Sequence, residues 1–214
     1  MKTDKKTRAR AIFARLKARY PELRSALAWK SAWELLVATV LAAQCTDARV
    51  NLVTPEFFRR WPEPAELARA DQTEVEEVIH STGFFRNKAK NLVGAAQAIM
   101  ERHHGQVPKT MAELTALPGL ARKTANIVLS GAFGINEGLA VDTHVKRLSF
   151  RMGLTKNTDP VRIERDLMPL FDQTDWGDVN HALVYFGREV CQARKPRCSE
   201  CELADLCPKK GVES

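Results

Sequence analysis

The sequence predicts an all-α protein, and three observations carry that prediction. No stretch sustains the period-two alternation of apolar and polar residues, bounded by hairpin turns, that a half-buried strand requires. Helix-starting signals recur instead: Ser31 and Thr110 each stand three residues before a glutamate, and Asp159 precedes Pro160. Helix-closing glycines follow the periodic segments, at Gly83, Gly105, Gly153 and one of Gly131 or Gly134. With 214 residues, 44% of them hydrophobic, the chain can bury a core in one large domain or two small ones.

Each element follows from its own signals. Ile12, Leu16 and Tyr20 recur at four-residue spacing among basic residues, which predicts an amphipathic helix ending before Pro21. Its apolar stripe needs a partner elsewhere. After Ser31 the residues Trp33, Leu35, Leu36, Val37, Val40 and Leu41 are apolar on nearly all sides, so this helix belongs in a core. Polar residues return at Ala43-Gln44-Cys45-Thr46-Asp47, where Asp47 is expected to cap the next helix, through about Arg60. Pro62 and Pro64 frame a turn before a short helix over 65–70, and 72–81 reads as another.

The segment Gly83-Phe84-Phe85-Arg86-Asn87-Lys88 is expected to be a loop with two aromatic residues beside two cations. Such a loop can stack on or wedge between bases, and the same residues also serve ordinary packing. Asn87 is expected to cap a helix to about His103. Thr110 opens a helix running into Leu117-Pro118-Gly119, and another runs from Ala121 past Leu129. Helices from Asp142 to about Met152, after Asp159, and from Asp178 to Val190 complete a count of about ten.

The formal charge is +7, and residues 1–24 hold nine Lys and Arg, Lys2 among them, against Asp4 and Glu22. A basic chain suggests a polyanionic partner, although a basic terminal helix is equally a solvated face. No apolar run approaches the roughly 18 residues of a membrane span, and Met1-Lys2-Thr3-Asp4-Lys5-Lys6 lacks the apolar stretch of a secretory signal. The chain is therefore expected to be soluble and intracellular, in the cytoplasm or nucleoid, with no membrane partner.

Two motifs bear chemistry. Pro118-Gly119 interrupts two helical patterns, so Lys123 falls in the first turn of the second helix. The partial positive charge there favours a phosphate nearby and disfavours the ammonium form of a lysine. Asp142, nineteen residues after Lys123 in Val141-Asp142-Thr143-His144, reads alone as an N-cap. The second motif is Cys191, Cys198, Cys201 and Cys207, a C-x6-C-x2-C-x5-C pattern. Thiolates so spaced in an intracellular chain bind zinc or an iron-sulfur cluster. Only Cys198 and Cys201 form a tight pair, and the uneven spacing suits wrapping a 4Fe-4S cluster better than gripping one ion. Cys45 stands apart and reads as a buried thiol. Arg194, Lys195 and Arg197, between the ligands, suit phosphate contact.

Together, Leu117-Pro118-Gly119 with Lys123, Val141-Asp142-Thr143-His144 and the four cysteines resemble the endonuclease III family of helix-hairpin-helix DNA glycosylases. The resemblance covers about residues 25–208 and includes the Gln44 segment and Ala193-Arg194-Lys195-Pro196-Arg197-Cys198. It implies two helical domains with a DNA-binding cleft between them. Residues 25–136 would be a six-helix domain with the hairpin, and 1–24 plus 137–214 a helical domain with a 4Fe-4S cluster. It implies excision of oxidised pyrimidines from double-stranded DNA and strand cleavage 3′ to the abasic site, by a monomer. Lys123 matches the nucleophile, Asp142 the catalytic carboxylate, and the four cysteines the cluster ligands. Gln44 would fill the gap left by the flipped base and Phe84 would sit at the wedge position. Asp47, Gly119, Ala121, Arg122, His144, Arg194, Lys195 and Arg197 are further expected DNA contacts.

The chain departs from the family pattern in two places. The hairpin reads Gly119-Leu120-Ala121 where the family usually has a second glycine, and a methyl there would hold the backbone from a phosphate or exclude a positive φ. The wedge is Phe84 rather than the commoner leucine. Three other readings are possible: a non-catalytic DNA-binding module, a zinc-containing regulator, and the related adenine glycosylase. That last enzyme needs an acid on the helix before Gln44, where this chain has Val40.

Overall fold

A computed structural model describes residues 4–212; Lys2 of the basic segment lies outside them. Among the described residues all regular structure is helical. In chain order the α-helices are α1 (Lys5–Arg19), α2 (Ala32–Leu41), α3 (Asp47–Arg60), α4 (Pro64–Ala68), α5 (Gln72–Ile79), α6 (Phe85–His103), α7 (Met111–Thr115), α8 (Arg122–Phe133), α9 (Thr143–Arg151), α10 (Pro160–Leu167) and α11 (Trp176–Glu189). Short 3-10 turns follow α5 and α10 and precede α11. The chain divides into a central unit, Ser25–Glu137, and a second unit built from the segments on either side of it.

In the central unit α2 is apolar on all sides, and seven of its ten residues are buried. Ser31 caps it by accepting from the Glu34 amide at 3.2 Å. Leu36, Val37, Phe57, Leu67, Ile79, Leu92, Ile99 and Leu129 join in one core. Removing any of these side chains would cost about 2–5 kcal/mol. Helices α2 and α8 pack closely, since a Cβ at Gly131 would lie 2.8 Å from Leu35.

Two sequence-based helix starts are corrected here. Thr46, not Asp47, caps α3: its hydroxyl accepts from the Arg49 amide at 3.3 Å, and Asp47 becomes the first helical residue. Helix α6 begins at Phe85, two residues before Asn87, because Phe84 takes a left-handed turn with φ +49° that starts the helix without a side-chain cap.

The second unit gives the α1 stripe its partner. Ile12 and Leu16 are buried with Leu148, Leu183 and Phe186, and Tyr20 meets Tyr185 edge-on with ring centroids 5.5 Å apart. The basic face of α1 is tied to groups of this same unit. Arg8 donates to the carbonyls of Met152, Leu206 and Gly153. Arg15 makes a two-pronged pair with Asp205, at 2.5 and 2.8 Å, and donates to the Glu202 carbonyl at 2.7 Å. Arg19 reaches Glu189 at 3.0 Å and Glu202 at 3.3 Å. Much of the N-terminal charge therefore fastens α1 over the cysteine segment.

Candidate functional site

The hairpin around Lys123 is shaped by α6. Gly119 has φ +76°, and a Cβ there would lie 2.6 Å from the Asn91 side chain on α6, so only glycine fits. One turn further along α6, a Cβ at Gly94 would meet the Pro118 ring at 3.3 Å. The turn is thus seated on two successive positions of one helix. Ala121 follows in extended conformation at φ −85°, so the methyl meets no backbone constraint, and the expectation of an excluded positive φ is corrected. No described side chain caps α8 at Ala121. Its first amides are therefore available to an anion. Lys123 is the second residue of α8, in this first turn and exposed beside Arg122.

Gln44 and Phe84 share an unusual backbone state in the central unit. Gln44 has φ +53° and Phe84 φ +49°, two of four non-glycine residues with positive φ among those described. Each such residue costs about 1–2 kcal/mol relative to a relaxed backbone. Both side chains are exposed, Phe84 at 62% of its surface. The adjacent Phe85 instead packs against His80, with ring centroids 4.4 Å apart. The two aromatics of this segment thus divide into one packing residue and one projecting ring. Cys45 is half-buried against the central core.

In the second unit Asp142 caps α9: its carboxylate accepts from the Val145 amide at 2.8 Å. The cap fixes where the carboxylate points. His144, the second residue of α9, has its ring Nδ1 3.1 Å from Arg147. Burial lowers the His144 pKa against the opposing pull of Asp142, and Arg147 and Arg188 lower it further. Helix α11 passes close by: a Cβ at Gly187 would lie 2.8 Å from the His144 ring.

Cys191, Cys198, Cys201 and Cys207 line one cavity with Arg151 and Leu203. Burial, foremost, pushes the Cys201 and Cys207 thiols up, and neighbouring cysteines add to it. A cationic centre would favour the thiolate form at these two positions. Cationic and amide donors surround the set. Arg151 lies 3.4 Å from the Cys191 sulfur and donates to the carbonyls of Gln192 at 2.7 Å and Ala193 at 2.8 Å. The Lys209 amide lies 3.4 Å from the Cys207 sulfur. Arg147 donates to the carbonyls of Cys191 and Gly187. Among the described residues no three acidic, His or Cys side chains converge on a point that would hold a single metal ion. Four thiols around a cavity, with donors aimed at sulfur, fit a cluster.

Arg194, Lys195 and Arg197 are all exposed on this loop, and Arg197 also donates to the Glu189 carbonyl. Sequence reasoning missed Lys88, Asn91, Arg147 and Arg151. The only available signal was the four-residue spacing of Arg147 and Arg151, which places them on one face of α9. The expected loop over 83–88 is corrected as well: its last four residues are the first turn of α6, and Lys88, read there as a loop cation, is buried.

Comparison with known proteins agrees with this geometry. Residues 37–173 match the family described as HhH-GPD superfamily base excision DNA repair protein, and 191–207 match the iron-sulfur binding domain of endonuclease III. Endonuclease III of Synechocystis is 59% identical over 96% of this chain and 94% of its own length. That of Bacillus subtilis is 43% identical over 88% and 86%. A solved trapped endonuclease III-DNA covalent intermediate matches at TM-score 0.91 and 37% identity, covering 95% of this chain and 96% of that one. A thermostable thymine-DNA glycosylase shares the fold at 20% identity and TM-score 0.85. The chain belongs to the endonuclease III family, which carries a 4Fe-4S cluster, within the HhH-GPD superfamily of base excision DNA repair proteins.

Proposed function

We propose that this base-excision repair glycosylase and lyase removes oxidised pyrimidines from duplex DNA and cleaves the strand 3′ to the resulting abasic site, with Lys123 as nucleophile and Asp142 as the catalytic carboxylate. The observation that carries the reading is the hairpin: an exposed amine in the uncapped first turn of α8, behind a turn that only Gly119 can make. Relatives solved as a trapped covalent intermediate and as a non-covalent complex with DNA support it.

The glycosidic bond is inaccessible inside a stacked duplex, so the nucleotide must leave the stack, at a cost of a few kcal/mol that a damaged pair reduces. Phe84 wedges into the duplex and Gln44 occupies the space the base vacates. As the bond to the base lengthens, the sugar gains positive charge, which the Asp142 carboxylate stabilises. Asp142 also takes the proton of Lys123, directly or through water. The neutral amine attacks C1′ and displaces the base, which leaves with a proton; the C1′–O4′ bond of the resulting aminal then breaks, O4′ takes up a proton as a hydroxyl, and the lysine nitrogen and C1′ form a Schiff base. Its electron withdrawal acidifies C2′, and removal of that proton expels the 3′ phosphate. An amine nucleophile therefore gives strand cleavage where an activated water would only hydrolyse.

Cys191, Cys198, Cys201 and Cys207 hold the cluster, which braces the loop presenting Arg194 and Lys195 to phosphates. When bound, the cluster supplies electron-exchange capacity, and no step above passes through it. Asp47, Arg122 and His144 are assigned to the DNA-facing surface of their elements. The working form is a monomer on damaged duplex DNA in the nucleoid.

A duplex with a single thymine glycol, labelled at the 5′ end, tests the reading. Incision to a 3′ unsaturated aldehyde terminus is expected. Base release with no incision, or binding with neither, would overturn it.

A further inference from the structure

We infer that Lys88 is a positioning residue that locks the Gln44 loop and the Phe84 turn to each other, so that gap filling and wedging occur as one rigid unit. The inference rests on the roles proposed above for Gln44 and Phe84. Lys88 lies one turn into α6 and is buried, with 5% of its surface exposed. Its Nζ donates to the carbonyl of Leu41 at 2.8 Å and to that of Thr82 at 2.8 Å. Leu41 is the last residue of α2, three before Gln44, and Thr82 stands two before Phe84. One ammonium therefore joins the chain just ahead of both left-handed residues.

The choice of side chain follows from the partners. The last carbonyls of a helix have no intrahelical donor and carry the negative end of its dipole, which favours a cation at Leu41. Lysine brings up to three donors on a thin flexible stem, and charge-assisted bonds are stronger than neutral ones. Leaving the Leu41 and Thr82 carbonyls buried without this donor would be costly. Both φ values, +53° at Gln44 and +49° at Phe84, are unfavourable for these residues, so an outside restraint is needed to hold them. Lys88 supplies one restraint to two strained turns, whereas a purely structural lysine would have no reason to bridge these two.

Lys88→Met keeps the stem and removes the donors; Lys88→Gln, whose amide ends short of both carbonyls, serves if the methionine variant does not fold. Hydrogen exchange on the full-length, cluster-loaded protein gives a reading independent of activity. Amides over 42–47 and 82–87 are expected to exchange together about tenfold faster, with 116–122 unchanged. A rise in only one segment, in neither, or equally in the hairpin would overturn the inference. In borohydride trapping, the variant is expected to lose about tenfold on a thymine glycol duplex and less than about twofold on a single-stranded abasic oligonucleotide, which needs neither wedge nor gap filler. Equal loss on both substrates would contradict positioning. Phe84→Ala is expected to weaken duplex trapping in the parent but not further in the Lys88→Met background, the signature of coupled groups, and additive losses would contradict it. If the parent traps no substrate while the paired exchange response remains, the clamp stands and the proposed function fails.

Discussion

At the scale of single residues, Gly119 and Ala121 stand two apart and answer to different constraints. Gly119 needs both its positive φ and the absence of a Cβ, because Asn91 occupies that space. Gly119→Ala is expected to destabilise the protein by about 2 kcal/mol or more in urea titration and to abolish DNA binding. Ala121 sits at an ordinary φ of −85°, so its methyl acts on a ligand alone. Ala121→Gly is expected to tighten binding to an abasic-site duplex by about threefold, since only the phosphate approach changes; unchanged affinity would remove this role. Asp142 caps α9 and is proposed to act in base excision, and two substitutions separate the two roles. Asp142→Asn keeps an acceptor for the Val145 amide and is expected to melt within about 0.5 kcal/mol of the parent while losing base excision. Asp142→Ala is expected to lose excision and about 1 kcal/mol of stability as well. The places of Lys123 and Asp142 at helix starts were legible in the sequence because Pro118-Gly119 and Asp142-Thr143 punctuate helices, whereas their proposed chemical roles come from the family resemblance. Lys88 was not legible, since its role depends on carbonyls supplied by residues 47 and 6 positions away.

At the scale of elements, α6 organises the central unit. Its start is the Phe84 turn, Lys88 ties that turn to the Gln44 loop, and Asn91 and Gly94 seat the hairpin that leads to Lys123. The sequence announced this helix by an Asn87 cap and a closing Gly105, but its start was misplaced because a left-handed phenylalanine, not an Asn cap, begins it. In the second unit α9 plays the comparable part, with Asp142 at its head and Arg147 and Arg151 on the cysteine loop. The loop cations divide in the same way. Arg194→Ala and Lys195→Ala are each expected to weaken DNA binding across sequences and to reduce the salt slope of log K by about 1. Arg197→Ala should leave that slope unchanged, because its guanidinium is directed to the Glu189 carbonyl. The sequence placed all three cations on one loop but could not reveal that one of them donates to a carbonyl of its own chain.

At the scale of the whole molecule, the chain builds two separate hydrophobic cores, and the second also supports the cysteine loop. The all-helical class was legible from the capping signals, which the structure uses at Ser31, Thr110, Asp142 and Asp159. The ion pairs of α1 were not, because pairing partners distant in sequence leave no local pattern. Burial lowers the pKa of His181, against the opposing pull of Asp178. As pH falls below about 6.5 the unfolded chain takes up a proton there that the folded chain does not, so His181 lowers stability in that range. Melting from pH 7 to 5 should fall less steeply in His181→Gln than in the parent. The central claim, that Lys123 is a covalent nucleophile, is tested most directly by borohydride trapping on a duplex with one abasic site. The account predicts a covalent protein-DNA adduct in the parent that disappears in Lys123→Ala while DNA binding and the brown colour of the cluster persist. An adduct of equal yield in Lys123→Ala, or none in a parent that binds the duplex, would contradict it.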